Sequence, residues 1–230
     1  MIKLKKILIT GGSSGLGHSL AIKLAKKNKI YCLGRSDVKQ KNIKSVKCDF
    51  KNIKSIKGKL KKLLNTKKLD YVFLNAGMLG EIKNINNIKY DEINEILKVN
   101  VFANKEILDF FIEKKIKTKL IIAISSGAAL APKFGWFLYC SSKAAFKFLI
   151  ESYALEDSKR SFINISPGLI KTKMQNQICK IDEKKISSVK KFKILNKQNK
   201  IPSSDEVADN IINIIQKLKK SSGSYIDIRK

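Results

Sequence analysis

A chain of 230 residues, 43% hydrophobic and 8% aromatic, with no linker rich in Pro, Gly or Ser, is expected to form a single domain spanning residues 1–230. No stretch approaches the roughly 20 apolar residues of a spanning helix, and Met1–Lys6 runs through Ile7, Leu8 and Ile9 straight into glycines, so neither a membrane protein nor a secreted one is expected and a cytoplasmic location is. The charge is extreme, 48 Lys+Arg against 19 Asp+Glu for a net +29, but arginine occurs only at 35, 160 and 229 and the lysines are spread end to end, which fits a drift toward Lys, Ile and Asn better than a nucleic-acid site.

In chain order, Ile7 to Thr10 is a short apolar run closed by glycines, and Ser19 to Lys27 follows with helical spacing of Leu20, Ile22, Leu24 and Ala25. Further strand-like runs are Ile30 to Leu33, Val46 to Cys48, Tyr71 to Leu74, Leu120 to Ser125, Phe162 to Ser166 and Tyr225 to Ile228. Helical spacing marks Ile53 to Leu64, Tyr90 to Lys115, Ser141 to Ser158 and Glu206 to Leu218. Strands that alternate with helices form parallel sheets through crossover connections. The fold class is therefore α/β, a single-domain doubly wound sheet of about seven parallel strands with helices on both faces. Such sheets bind ligands at the carboxyl ends of their strands. Residues 171–201 are polar, lysine-rich and the least regular part, and are expected to form a mobile substrate flap. Cys32, Cys48, Cys140 and Cys179 show neither CxxC spacing nor a His partner, which argues against a metal site and against a disulfide framework.

The first strand runs into Thr10-Gly11-Gly12-Ser13-Ser14-Gly15-Leu16-Gly17. Glycines at 11, 15 and 17 permit a sharp turn off the strand, close approach of backbone to phosphate, and tight packing of helix on sheet. The helix that begins here aims free N–H groups and its positive dipole end at an anion. This turn resembles the Thr-Gly-x-x-x-Gly-x-Gly motif of the short-chain dehydrogenase/reductase family. His18 directly follows it but lies at the phosphate end, where a helix-start or surface role is expected rather than catalysis.

Cofactor choice is read after the second strand. An acidic residue there would accept hydrogen bonds from the 2′-hydroxyl of NAD. Gly34 stands at that place, and Arg35, followed by Ser36, offers a planar fork for a 2′-phosphate. NADP(H) is favoured over NAD(H), although Ser14 occupies the position where a second basic residue is usual in the glycine turn. By resemblance, Asp49 contacts the adenine, with Phe50 beside it. The same resemblance adds Ser13, Leu16, Asn75, Ala76, Gly77, Pro167, Gly168, Ile170 and Thr172 to the cofactor contacts.

Tyr139 and Lys143 stand four residues apart, hence on one face of a helix. With six tyrosines and this many lysines, one such pair is expected by chance, and the weight comes from its company. Ser126 lies thirteen residues before Tyr139, Asn100 sits in the preceding long helical segment, Asn75-Ala76-Gly77 follows the fourth strand and Pro167-Gly168 the sixth. That order resembles the family's. A tyrosine, with a pKa ordinarily about 10, needs help to exchange a proton near neutrality. Lys143 supplies positive charge and, by resemblance, holds the nicotinamide ribose. Ser126, chosen over Ser125 by the thirteen-residue spacing, can polarise the substrate oxygen, and the resemblance implies that Asn100 anchors a water that relays protons to Lys143. The catalytic set is thus Asn100, Ser126, Tyr139 and Lys143, with Ser126, Trp136 and Tyr139 facing substrate.

The segments Gly135–Ala145 and Ser166–Gln175, with Asn75-Ala76-Gly77-Met78-Leu79-Gly80, are most similar to the sepiapterin reductase and benzil reductase branch, which implies NADPH-dependent reduction of a vicinal dicarbonyl. Leu74 and Lys171 depart from the usual pattern, the second of them at the substrate pocket. The alternatives are a sugar, a 3-oxoacyl thioester or another alcohol as substrate and, outside enzymes, an NADP(H)-binding regulator or a polyanion-binding scaffold. The resemblance also implies a homodimer or homotetramer paired through the helices that carry Asn100 and Tyr139.

Overall fold

The computed structural model describes residues 4–217 and 222–229. Seven strands, β1 (Lys6–Thr10), β2 (Lys29–Gly34), β3 (Ile43–Lys47), β4 (Lys68–Leu74), β5 (Lys117–Ile124), β6 (Ser161–Ser166) and β7 (Ser224–Asp227), form one parallel sheet in the order β3-β2-β1-β4-β5-β6-β7. The order reverses between β1 and β4, where Leu8 pairs with Val72 and Ile9 with Phe73. Loops leaving those two strands diverge, and the crevice for a ligand opens at their carboxyl ends.

Helices cover both faces. Because side chains alternate along a strand, Leu8 enters a core with Leu60, Phe111, Phe146 and Ile150, contributed by α2 (Ile56–Leu63), α4 (Ala103–Glu113) and α5 (Phe137–Glu156). Ile7 and Ile9 point the other way, onto Leu20, Ala21, Val207 and Ile211 of α1 (Gly15–Ala25) and α8 (Ser204–Lys217). Both faces of the sheet are therefore dry, which explains the continuous apolar strands.

Four features differ from the expectations. The stretch 90–115 is not one helix: α3 (Tyr90–Leu97) passes through a π-helical turn, Lys98–Phe102, into α4. That widened turn re-aims Asn100, as π-turns at functional sites do. α5 begins at Phe137 rather than Ser141, so Tyr139 and Lys143 share its first two turns. β3 starts at Ile43 and ends before Cys48. Residues 171–201 are not irregular, since α6 (Lys173–Cys179) and α7 (Lys190–Lys197) lie within them. Ile178, Ile186, Val189 and Phe192 from this segment join Leu79, Ile82, Trp136 and Cys140 in a third apolar cluster. Spacing hid that helicity because the segment buries few residues among many lysines. Leu218, the expected end of the last helix, lies outside the described residues. None of the described helices is long and apolar enough to cross a membrane.

Candidate active site

The glycine turn is held in a shape that only glycine allows at its key positions. Gly11 and Gly15 adopt φ of 69° and 52°, left-handed values that disfavour any side chain. Gly17 fixes the helix against the turn, since a Cβ there would stand 2.3 Å from the Gly11 carbonyl oxygen and 2.4 Å from Asn75 Nδ2. Ser14, the residue before α1, makes no side-chain cap. The first N–H groups of α1 therefore face the cleft without a cap from that side chain, the arrangement that binds pyrophosphate at a helix N-terminus.

Thr10 and Asn75 weld this turn to the fourth strand. The Thr10 hydroxyl oxygen accepts from the backbone N–H groups of Asn75 and Ala76 at 2.9 and 3.0 Å, and Asn75 Nδ2 donates to the Thr10 carbonyl at 2.9 Å. Thr10 is fully buried. It and Gly17 stand behind the cleft wall and Ser36 beyond it, so these three of the sequence-named cofactor residues do not line the cleft. Gly11, Ser13, Ser14, Gly15 and Leu16 do, as do Arg35, Asp49, Phe50, Asn75, Ala76, Gly77, Pro167, Gly168, Ile170 and Thr172. Thr172 caps α6 by accepting from Gln175 N–H at 3.3 Å, and its methyl group lies close against Gly15. The start of the 171–201 segment thus borders the phosphate turn.

At the other end of this cleft of about 620 Å³ stand Ser126, Trp136, Tyr139 and Lys143. Ser126 leaves β5, accepts from Ala128 N–H at 3.2 Å and is hydrogen-bonded to the Tyr139 phenol. Its carbonyl accepts from the Tyr225 hydroxyl at 2.9 Å, so β7 braces this serine across the sheet. Burial pushes the Tyr139 phenol up to about 12, with the Ser126 hydrogen bond acting in the opposite direction. Lys143 is buried, and desolvation lowers its ammonium to about 8. Its Nζ donates to the Ile124 carbonyl at 2.8 Å and lies 5.9 Å from the Tyr139 ring centre.

Asn100 does not line the cleft. Its Oδ1 accepts from Met78 N–H at 2.8 Å, while Nδ2 donates to the Met78 carbonyl and to Ser142 Oγ, both at 2.9 Å. Ser142 in turn donates to the Tyr139 carbonyl at 2.9 Å. Asn100 therefore ties the loop after β4 to the helical turn between Tyr139 and Lys143. Both of its amide hydrogens are committed to protein, which leaves only its oxygens for a water.

Trp136 lines the cleft and also belongs to the third apolar cluster. Its ring meets Tyr139 edge-on at 6.2 Å and stacks on Phe192 at 5.0 Å. Its Nε1 donates to Ser188 Oγ at 2.9 Å, and Ser188 donates onward to the Phe134 carbonyl at 2.7 Å. Sequence reading passed over Lys133, Phe192, Ser188 and Tyr225, which carry no motif and meet the site only through tertiary packing.

A pyrophosphate cradle at the reversal of a doubly wound sheet, with a tyrosine, lysine and serine at the far end of the same cleft, defines a dinucleotide-dependent oxidoreductase. The short chain dehydrogenase family model matches residues 5–182, and the chain belongs to that family. It is 28% identical over 238 residues to a benzil reductase ((S)-benzoin forming) of Bacillus subtilis, covering 97% of this chain and 98% of that one. It is 24% identical over 250 residues to the sepiapterin reductase of Rattus norvegicus, covering 96% and 94%. A solved short chain dehydrogenase/reductase from Saccharomyces cerevisiae superposes with a TM-score of 0.87 at 23% identity, over 98% and 96% of the two chains. The chain is an oxidoreductase similar to the benzil and sepiapterin reductases.

Proposed function

We propose that the protein reduces a carbonyl, with a vicinal diketone such as benzil as a substrate, using NADPH. The observation that carries this reading is geometric: the Tyr139 phenol stands in the cleft with Ser126 and with the buried Lys143, whose Nζ lies 5.9 Å from the phenol ring centre, a proton donor and a positive charge placed together. NADPH, when bound, supplies the hydride. The chain's residues do the rest. The α1 N-terminus and Gly11–Leu16 turn bind pyrophosphate, and Lys143 holds positive charge beside the phenol. Ser126 hydrogen-bonds the substrate oxygen, and Tyr139 gives it a proton as negative charge develops there. Asn100 keeps Tyr139 and Lys143 in register. The segment 171–201, docked through Trp136, Ser188 and Phe192, opens and closes over substrate.

NADP(H) is the preferred cofactor in this reading. Arg35 is exposed at the cleft and forms no salt bridge among the described residues. Asp37, two residues on, is drawn toward the Lys47 ammonium at 3.6 Å and the Ser45 hydroxyl at 3.3 Å. An arginine fork on a 2′-phosphate contributes charge-assisted hydrogen bonds, so Arg35→Ala should lower the ratio of kcat/KM for NADPH over NADH in benzil reduction by about tenfold. Rates with the two cofactors, wild type beside variant, give that ratio. An unaltered ratio would reject Arg35 as the 2′-phosphate ligand, and absence of any benzil turnover would reject the reductase.

The protein also pairs with itself through α4 and α5 in this reading. Phe102 and Ile112 are 44% and 48% exposed beside α4, and Phe148 and Leu155 of α5 are 64% and 88% exposed, large apolar groups that a lone chain would leave wet. Light scattering should return at least twice the chain mass of 26.0 kDa, and a monomer would refute the pairing.

A further inference from the structure

Beyond Arg35 and Lys143, whose jobs are already assigned, Lys51, Lys133, Lys171 and Lys173 also line the cleft, and one of these stands on aromatic rings. Lys133 lies in the loop between β5 and α5 and lines the cleft with Trp136, Tyr139 and Phe192. Its Nζ sits 5.2 Å from the Trp136 ring centre and 5.3 Å from that of Phe192. Those two rings stack on each other, so the ammonium rides on a fixed aromatic platform. The platform is locked from below by the Trp136–Ser188 hydrogen bond, and the Lys133 backbone N–H is held by Cys140.

No carboxylate of the described residues reaches this ammonium. Of the titratable side chains that bear on it, Cys140 is a thiol whose pKa burial raises, and Arg229 and Lys191 have the ammonium's own sign. Arg229 is already engaged by Asp227. Asp49, the one carboxylate on the cleft wall, stands beyond β3 on the cofactor side. Partial desolvation over the rings draws the Lys133 pKa below the usual lysine value. Lys133 is exposed as a residue, so the cost falls on the part of its side chain laid over the two rings. Retaining an ammonium on an apolar surface without a counter-charge leaves an incoming anion to supply it.

The anion is not the cofactor's 2′-phosphate. Arg35 follows β2 and Lys133 follows β5, strands separated by β1 and β4, hence by about 14 Å across the sheet. The cation that sits on the rings is one ammonium, with the neighbouring Arg229 spent on Asp227, and one available charge matches a monoanion better than a dianionic phosphate.

We infer that Lys133, seated on Trp136 and Phe192, anchors a carboxylate of the substrate, so that the carbonyl compounds this site prefers carry an acid group on an apolar, aromatic-sized body. The carboxylate then lies one ring removed from Tyr139, since Trp136 touches the phenol edge-on at 6.2 Å. The inference rests on the reductase reading for its substrate but not for the subsite itself, and the test separates the two.

Calorimetric titration of the NADP⁺-loaded protein would compare biphenyl-4-carboxylate with biphenyl-4-carboxamide. The carboxylate should bind at least tenfold tighter, the preference should vanish in Lys133→Met, and it should persist in Lys133→Arg. In turnover, the ratio of kcat/KM for 4-carboxybenzil over benzil should fall at least tenfold in Lys133→Met. Equal binding of the two probes by the wild type, binding of neither, or a preference that survives in Lys133→Met would overturn the subsite. A charge-dependent binding preference without reduction of either diketone would uphold the subsite and refute the reductase.

Discussion

Replacing Tyr139 by Phe should lower kcat for benzil about 1,000-fold and leave the Kd for NADPH within about twofold, since a positioned general acid contributes 10²–10⁴ in rate. The variant removes one oxygen from a half-buried ring whose other contacts, edge-on to Trp136 and beneath Lys143, are made by carbon. The fold should therefore survive, and a melting temperature near that of the wild type would confirm it. The Ser126 hydroxyl loses its phenol partner but keeps the Ala128 N–H, so the oxygen-binding half of the site remains in place. Hydride transfer without a positioned proton donor leaves an alkoxide to develop without its acid, which is why the rate rather than cofactor affinity should respond. Stopped-flow consumption of NADPH and fluorescence titration of the cofactor read these two quantities separately.

The second large effect falls on Lys143. Its folded pKa is about 8 against an ordinary 10.5, lowered by burial. Below pH 8 both folded and unfolded chains hold the proton, and the folded state bears the full cost of a buried ammonium. Between about 8 and 10.5 the unfolded chain still binds the proton while the folded one has released it, so stability rises with pH. The gap is on the order of 3 kcal/mol. Lys143→Met should consequently be more stable than the wild type at pH 7, with the advantage shrinking across that window. Tyr139 does not blur the result, because its raised pKa alters stability only above pH 10, and in the opposite sense. Activity should run the other way: kcat/KM for NADPH falls as pH climbs through 8 in the wild type, and the methionine variant should be at least 100-fold slower with no inflection there. Denaturant melts and initial rates between pH 6.5 and 9.5 measure both. An equal stability gap at every pH would refute the buried charge.

These outcomes concern residues that were legible in the sequence. Tyr139, Lys143 and Ser126 are picked out by a resemblance of order and spacing to the family's landmarks, and the helix that begins at Phe137 brings the first two onto one face as that spacing requires. The sheet was legible because each strand buries both faces and so reads as an uninterrupted apolar run. What stayed hidden depends on long-range packing. Tyr225 reaches Ser126 across 99 positions of chain, and Trp136 finds Ser188 and Phe192 only once residues 171–201 fold back as helices. Asn100 shows a subtler gap. The residue could be named from its place in the chain, but the π-helical turn that points its amide at Met78 and Ser142 leaves no trace in hydrophobic period. Arg35 is the reverse case: the residue lines the cleft, while its proposed ligand is read from its chemistry.

The excess of lysine also divides along these lines. Lys143 and Lys133 are set apart from the rest by desolvation against apolar groups, and composition alone could not have separated them. In the proposed reading Lys143 serves the phenol and Lys133 meets an acid group of the substrate.

The central claim, reduction of a carbonyl with Tyr139 as proton donor, is tested most directly by the initial rate of NADPH consumption with benzil, wild type and Tyr139→Phe side by side. Benzil-dependent loss of NADPH in the wild type, with benzoin formed in equal amount and the rate nearly abolished in the variant, is the predicted result. No benzil-dependent loss in the wild type, or an equal rate in the variant, would contradict it.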